Sequence, residues 1–266
     1  MSSELKFGAY ADIGAELHGN VATVELRRPP DNYFSNEMIQ QIAHAYEALD
    51  KIDDCRVILL CAEGKSFCAG ADLKNRPDTG TTGEGGGVAK HLYREAIRIF
   101  RTRKPVVAAV QGAAIGGGMG LALSADFRVT CKEARFSVNF SRLGLHPGFG
   151  LTVTLPRLIG TQKAALLFLT GRRITGEEAV NMGVADVLAP QAEVRAAGLA
   201  LATEIAQSAP LAVMSIRETM RRGFADAVES MTERELFEQE WLRRTEDFKE
   251  GVKSWAERRP GNFKSR

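Results

Sequence analysis

The stretch Gln111 to Gly120, QGAAIGGGMG, constrains this chain more than any other. It follows the apolar run 106–110 and precedes the helix-compatible LALSAD, so its glycines sit where a buried strand passes into a helix. Three consecutive glycines permit backbone angles closed to other residues and close approach of a ligand to the main chain. A helix start also leaves amide N–H groups without partners and carries partial positive charge. Such donors suit an oxygen that becomes negative during a reaction. Tight strand-to-helix packing without chemistry uses the same glycines, so this stretch alone leaves both readings open. A second turn, SFCAGADL at residues 66–73, also follows an apolar run, 57–61, and the two turns could each aim one amide at a common oxygen.

The spacing of apolar residues gives the surrounding elements. AELHGNVATVEL at 15–26 alternates about His18-Gly19-Asn20 and predicts a hairpin. Ser35 is placed to cap a helix carrying Met38, Ile42, Tyr46 and Leu49 to about Asp50. Residues 79–87, TGTTGEGGG, read as a mobile loop. A helix over Leu92, Ala96 and Phe100 follows, then strands at 106–110, 127–130 and 135–138. Two helical segments broken at Gly160, a capping box at Thr175 to Glu178, and a last strand at 184–188 complete the alternating part. Beyond residue 190 every long segment reads as helix: 192–207, one opening at Ser208 with Pro210 in its first turn, and 225 to about 257. The chain therefore divides into a core over 1–190 and a helical region over 191–266. Pattern alone suggests a doubly wound parallel sheet.

A formal net charge of +2 and the absence of a basic, aromatic stripe argue against nucleic acid as a partner. No apolar run approaches the ~20 residues of a membrane helix, and the N-terminal stretch has no signal or transit layout. The expectation is a cytoplasmic protein with no membrane partner. Cys55, Cys61, Cys68 and Cys131 lack CxxC spacing and read as buried free thiols, with no metal site expected.

The pair EGKSFCAGADL and VQGAAIGGGMGLALSADFRV closely resembles the two signature segments of the crotonase superfamily, the enoyl-CoA hydratases and isomerases. The resemblance continues through FSRLGLHPGFGLTVTLPRLIG and LTGRRITGEEAVNMGVAD to GNFKSR. It replaces the doubly wound expectation with an α/β fold of the crotonase type: a spiral of strand-strand-helix repeats, with the C-terminal helical region assembling trimers or hexamers. It also implies an acyl-CoA thioester as substrate, with no bound cofactor, and an enolate or oxyanion held by the amides of Ala71 and Gly117.

The residues that usually accompany this hole are missing. The positions matching the two hydratase glutamates are Gly120 and Phe140, and the position matching the aspartate of some isomerases and dehalogenases is Gly148. Each absent acid or base ordinarily supplies ~100- to 10,000-fold. Poor hydration of crotonyl-CoA is therefore expected, and joint replacement of Gly120 and Phe140 by glutamate is expected to raise it. His146 is a candidate substitute because its unperturbed pKa suits proton transfer near neutrality; packing beside Pro147 is the other reading. His91 and Glu84 read as solvated, and Asn139, Ser141 and Arg142 as hydrogen-bonding groups. By the same resemblance CoA is gripped by Ala69, Gly70, Asp72 and Leu73, with Lys264 near the 3'-phosphate and Arg28 a weaker contact. Two reaction-level readings stand: an acyl-CoA enzyme with a non-standard active site, and an inactive acyl-CoA-binding partner subunit.

Overall fold

The computed structural model describes residues 10–71 and 92–266, together with the backbone of the strand β1 (Leu5–Lys6). The chain then forms β2 (Ile13–His18), β3 (Val21–Leu26), α1 (Asn36–Leu49), β4 (Val57–Ala62), α2 (Leu92–Phe100), β5 (Val106–Val110), β6 (Ala113–Ile115) and α3 (Gly117–Ser124). It continues through β7 (Phe127–Thr130), β8 (Arg135–Ser137), α4 (Leu151–Ile159), α5 (Thr161–Thr170), β9 (Arg173–Thr175), α6 (Gly176–Met182) and β10 (Val187–Leu188). Four helices follow: α7 (Val194–Ala206), α8 (Pro210–Met220), α9 (Phe224–Leu242) and α10 (Glu246–Ala256).

A seven-stranded sheet has the order β1-β2-β3-β4-β5-β7-β10, antiparallel at its first two pairings and parallel thereafter. A smaller sheet has the order β6-β8-β9. The chain alternates between them: β5 then β6 then α3, and β7 then β8 then α4. The turn after β4 contributes one parallel bridge, Cys68 to Ala114, in place of a full strand in the small sheet. This is the strand-strand-helix spiral of the crotonase fold. Every residue of β5 is buried, as a parallel strand covered on both faces requires. One cover is α7, where the missing Cβ of Gly198 lies 3.0 Å from Leu59 Cδ1 and 3.2 Å from Ala109 Cβ.

Local chemistry accounts for most element ends. The Ser35 hydroxyl accepts from Met38 N at 3.2 Å and starts α1. Thr175 and Glu178 form the reciprocal capping box of α6. Two expectations need correction. The last strand pairs only over Val187–Leu188, because the amides of Val184 and Ala185 both donate to Ala179 O in α6. The helix expected over 225–257 is two helices; Thr245 caps the second by accepting from Phe248 N at 3.1 Å, with Glu246 and Asp247 in its first turn. Helix α7, the first after residue 190, packs on the main sheet against β3, β4, β5 and β7. The expected loop at 79–87 lies outside the described residues.

Candidate active site

Two turns carry the proposed amides, and backbone hydrogen bonds fix them side by side. Cys68 N donates to Ala113 O at 2.9 Å and Ile115 N returns to Cys68 O at 3.0 Å. A Cβ on Gly118 would lie 2.0 Å from Cys68 O, so only glycine lets the two turns approach this closely. Gly116, with φ of 56°, turns the chain into α3 and leaves Gly117 as the first helical residue. A Cβ on Gly70 would stand 3.8 Å from Gly117 N. Among the described residues neither Ala71 N nor Gly117 N donates to a protein acceptor. Both residues line one cavity of about 70 Å³. Cys68, though adjacent, is no nucleophile: burial pushes its thiol up to about 12.

The positions lacking acids are occupied by aromatic packing. Phe140 is buried and forms one wall of the cavity. Gly120 does not face the cavity; its missing Cβ would lie 2.8 Å from both Cβ and Cδ1 of Phe149. Phe149 adopts a φ of 63°, which bulky residues rarely do, and its ring lies 6.1 Å from Phe34 and 6.0 Å from Tyr93. Gly148 is covered by Tyr93, whose hydroxyl oxygen would be 2.7 Å from a Cβ there. A side chain at position 120 would therefore meet Phe149 first, which bears on the expected gain from glutamates at 120 and 140.

His146 is not brought to the cavity. Its Nδ1 lies 2.8 Å from Pro147 O, and its carbonyl accepts from Gln239 Nε2 at 2.8 Å, so the packed reading describes it. Asn139 lines the cavity, whereas Ser141 and Arg142 bond outward to Phe168 O and Thr170 O. Among the described residues no carboxylate lines the cavity.

The CoA-binding expectations divide in the same way. Ala69 N donates to Asp31 O, and Gly70 O accepts from Phe34 N at 3.1 Å, placing both beside the amides. Asp72, Leu73, Glu84 and His91 lie outside the described residues. Arg28 stands near this turn but is held by Tyr33 O at 2.9 Å and by Asp12 at 3.5 Å. Lys264 does not line the cavity of its own chain. The tail instead folds onto α10, where Lys264 N and Ser265 N both donate to the Asp247 carboxylate.

The opposite side of the cavity comes from residues that the sequence did not single out: Tyr93 on α2, Gln239 on α9, Arg243 just after it, and Trp255 on α10. Tyr93 shares a side-chain hydrogen bond with Gln239, and burial pushes its phenol up. Arg243 Nη2 donates to Gln239 Oε1 at 3.1 Å. Behind them Glu235, fully buried, ties α9 to the start of α4 by accepting from Gly150 N at 2.8 Å, Thr152 N at 3.1 Å and Thr152 Oγ1 at 2.6 Å. Burial pushes this carboxyl up to about 7 against those donors. The i, i+4 spacing of Gln239 and Arg243 was the one available signal, and exposed helix faces show the same spacing.

Residues 16–266 match the model of the enoyl-CoA hydratase/isomerase family. The chain is 33% identical to enoyl-CoA hydratase EchA19 of Mycobacterium tuberculosis, over 96% of this chain and 97% of that protein. It is 30% identical to the 1,2-epoxyphenylacetyl-CoA isomerase of Escherichia coli, over 94% and 97%. The crystal structure of an enoyl-CoA hydratase/isomerase from Pseudoalteromonas atlantica superimposes with a TM-score of 0.85 at 28% identity, covering 96% of this chain and all of that one. The chain belongs to the enoyl-CoA hydratase/isomerase family and is an enzyme of its lyase or isomerase class.

Proposed function

We propose that the protein binds an acyl-CoA thioester and stabilises an enolate or similar oxyanion at the thioester oxygen with Ala71 N and Gly117 N, in a reaction other than glutamate-driven hydration. The observation that carries this reading is the pairing of two unengaged amides with a cavity wall that holds no carboxylate among the described residues. One fixed donor of this kind contributes ~100- to 1000-fold. Nothing at Gly120, Phe140 or Gly148 can activate water. Sequence identity does not choose the reaction, because a hydratase and an epoxide isomerase stand at 33% and 30%. Turnover with a panel of enoyl-, dienoyl- and epoxyacyl-CoA thioesters tests it. Crotonyl-CoA hydration is expected well below the ~10 per second typical of enzymes; a rate at that level would overturn the reading.

The aromatic filling around Gly120 also favours a second reading, an inactive acyl-CoA-binding partner subunit. Tight thioester binding without turnover on any member of the panel would select it. Assembly into a trimer or hexamer fits either reading. Helix α8 buries none of its residues within one chain and exposes Leu211, Ile216 and Met220 at 76%, 60% and 70%. A contribution of Lys264 to a 3'-phosphate then comes from a neighbouring subunit, because within its own chain the tail is tied to Asp247. Light scattering at micromolar protein is expected to give a mass of three or six chains. Among the described residues no single helix is long and apolar enough to cross a membrane.

A further inference from the structure

The buried guanidinium groups of this protein are not treated alike. Arg128 Nη2 meets Asp186 Oδ2 at 2.9 Å. Arg217 and Arg221 share Asp126 at 2.8 and 2.9 Å. Arg243 is placed about as deeply as Arg221, yet among the described residues it has no carboxylate within 4.0 Å. Its Nη2 bonds the neutral Gln239 Oε1, its Nε is buried without an acceptor, and its guanidinium carbon sits 5.6 Å from the Phe248 ring centroid. Gln239 is itself fixed, because its Nε2 is committed to His146 O. The amide oxygen is thereby held toward Arg243, and the guanidinium is held on the wall of the cavity that contains Ala71 and Gly117.

Removing a charge from water without a counter-charge is costly, and arginine does not escape by losing its proton. A cavity with a cation on its wall and no anion among its described lining residues is incomplete until an anion enters. A planar two-oxygen group matches the guanidinium fork. The other walls near it, Phe34, Phe140, Leu145 and Trp255, accept the apolar stem of such a group. We propose that the acyl group taken by this site carries a carboxylate at its distal end, bound by Arg243 with Tyr93 and Gln239 positioned beside it. This rests on the acyl-CoA reading above and narrows it to dicarboxylic acyl thioesters.

Succinyl-CoA and butyryl-CoA are matched in chain length and differ in a terminal carboxylate against a methyl. Equilibrium binding of each to the full-length protein is expected to favour succinyl-CoA at least tenfold. In Arg243→Met the ratio is expected to fall to near one, and in Arg243→Lys to lie between. Equal binding of the two thioesters by the wild-type protein overturns this proposal and leaves the acyl-CoA reading standing. Binding of neither thioester overturns both. An Arg243→Met variant that weakens free CoA as much as succinyl-CoA assigns the guanidinium to a CoA phosphate and likewise overturns the proposal. If that variant does not fold, the wild-type ratio still decides.

Discussion

The turns at 68–71 and 115–117 hold their side of the cavity with main-chain atoms, whereas Tyr93, Gln239 and Arg243 close the other side with side chains from helices far apart in sequence. The first side is fixed by a bridge between strands and by glycines that admit no substitute. The second depends on α9 being anchored by Glu235 and on Gln239 being anchored by a carbonyl. Backbone geometry therefore holds one side of the cavity, and helix packing holds the other.

The sharpest way to break that contrast is Gly118→Ala. The added methyl would sit 2.0 Å from Cys68 O, a backbone atom that cannot rotate away. A loss of about 3 kcal/mol or more is expected, with turnover abolished. A melting temperature near that of the wild type would show that the turns can separate, and the main-chain side would lose its special standing.

The helical side is tested by Glu235→Ala, which orphans two backbone donors and a hydroxyl at the start of α4. A loss of about 2–4 kcal/mol in urea unfolding is expected. Its pH dependence has a definite sign. Burial raises the folded carboxyl from 4.5 to about 7. Its stabilising contribution is therefore fully present below the unfolded value and is lost as pH rises through the folded one. Measured against Glu235→Gln, the wild-type advantage should shrink between about pH 5 and pH 8; an advantage that grows would reverse the assignment.

Gly120→Glu should cost about 1–3 kcal/mol through its collision with Phe149 and add no crotonyl-CoA hydration. Adding Phe149→Gly removes the ring that a side chain at 120 meets, but the loss of a buried aromatic is expected to cost about 3–5 kcal/mol more. Hydratase activity from Gly120→Glu alone would show that Phe149 yields readily. The smallest effect belongs to His146→Ala, expected to change turnover by less than about threefold because the ring bonds a neighbouring carbonyl and not the cavity. A loss of about a hundredfold, the scale of a general acid or base, would restore His146 as the proton-transfer group.

These outcomes follow the line between what the sequence shows and what it hides. Gly116 and Gly118 announce themselves because each answers a local demand, a positive φ or a backbone contact, that no other residue meets, while Gly117 makes room for the Phe34 ring. Ser35 and Thr175 are equally plain, since a cap bonds only a few residues away. Thr245, followed by Glu246 and Asp247, carries the same signal inside a stretch that reads as one long helix. Arg243 is illegible for another reason: which face of α9 turns inward is decided by contacts with α2 and α4, far off in sequence. Phe149 inverts the local rule, placing a large ring where a positive φ favours glycine. Only its packing against Phe34 and Tyr93 shows why.

The single bridge between Cys68 and Ala114 has a consequence for how such a protein diverges. It sets the relative position of the two amide-bearing turns through peptide groups, so that position depends on glycine at the contact itself and not on the side chains that line the cavity. Phe140, Tyr93 or Arg243 can be exchanged in one lineage and left alone in another without altering the distance from one amide to the other. The spacing of the two amides is thereby set apart from the side chains, Phe140, Tyr93 and Arg243 among them, that line the rest of the cavity.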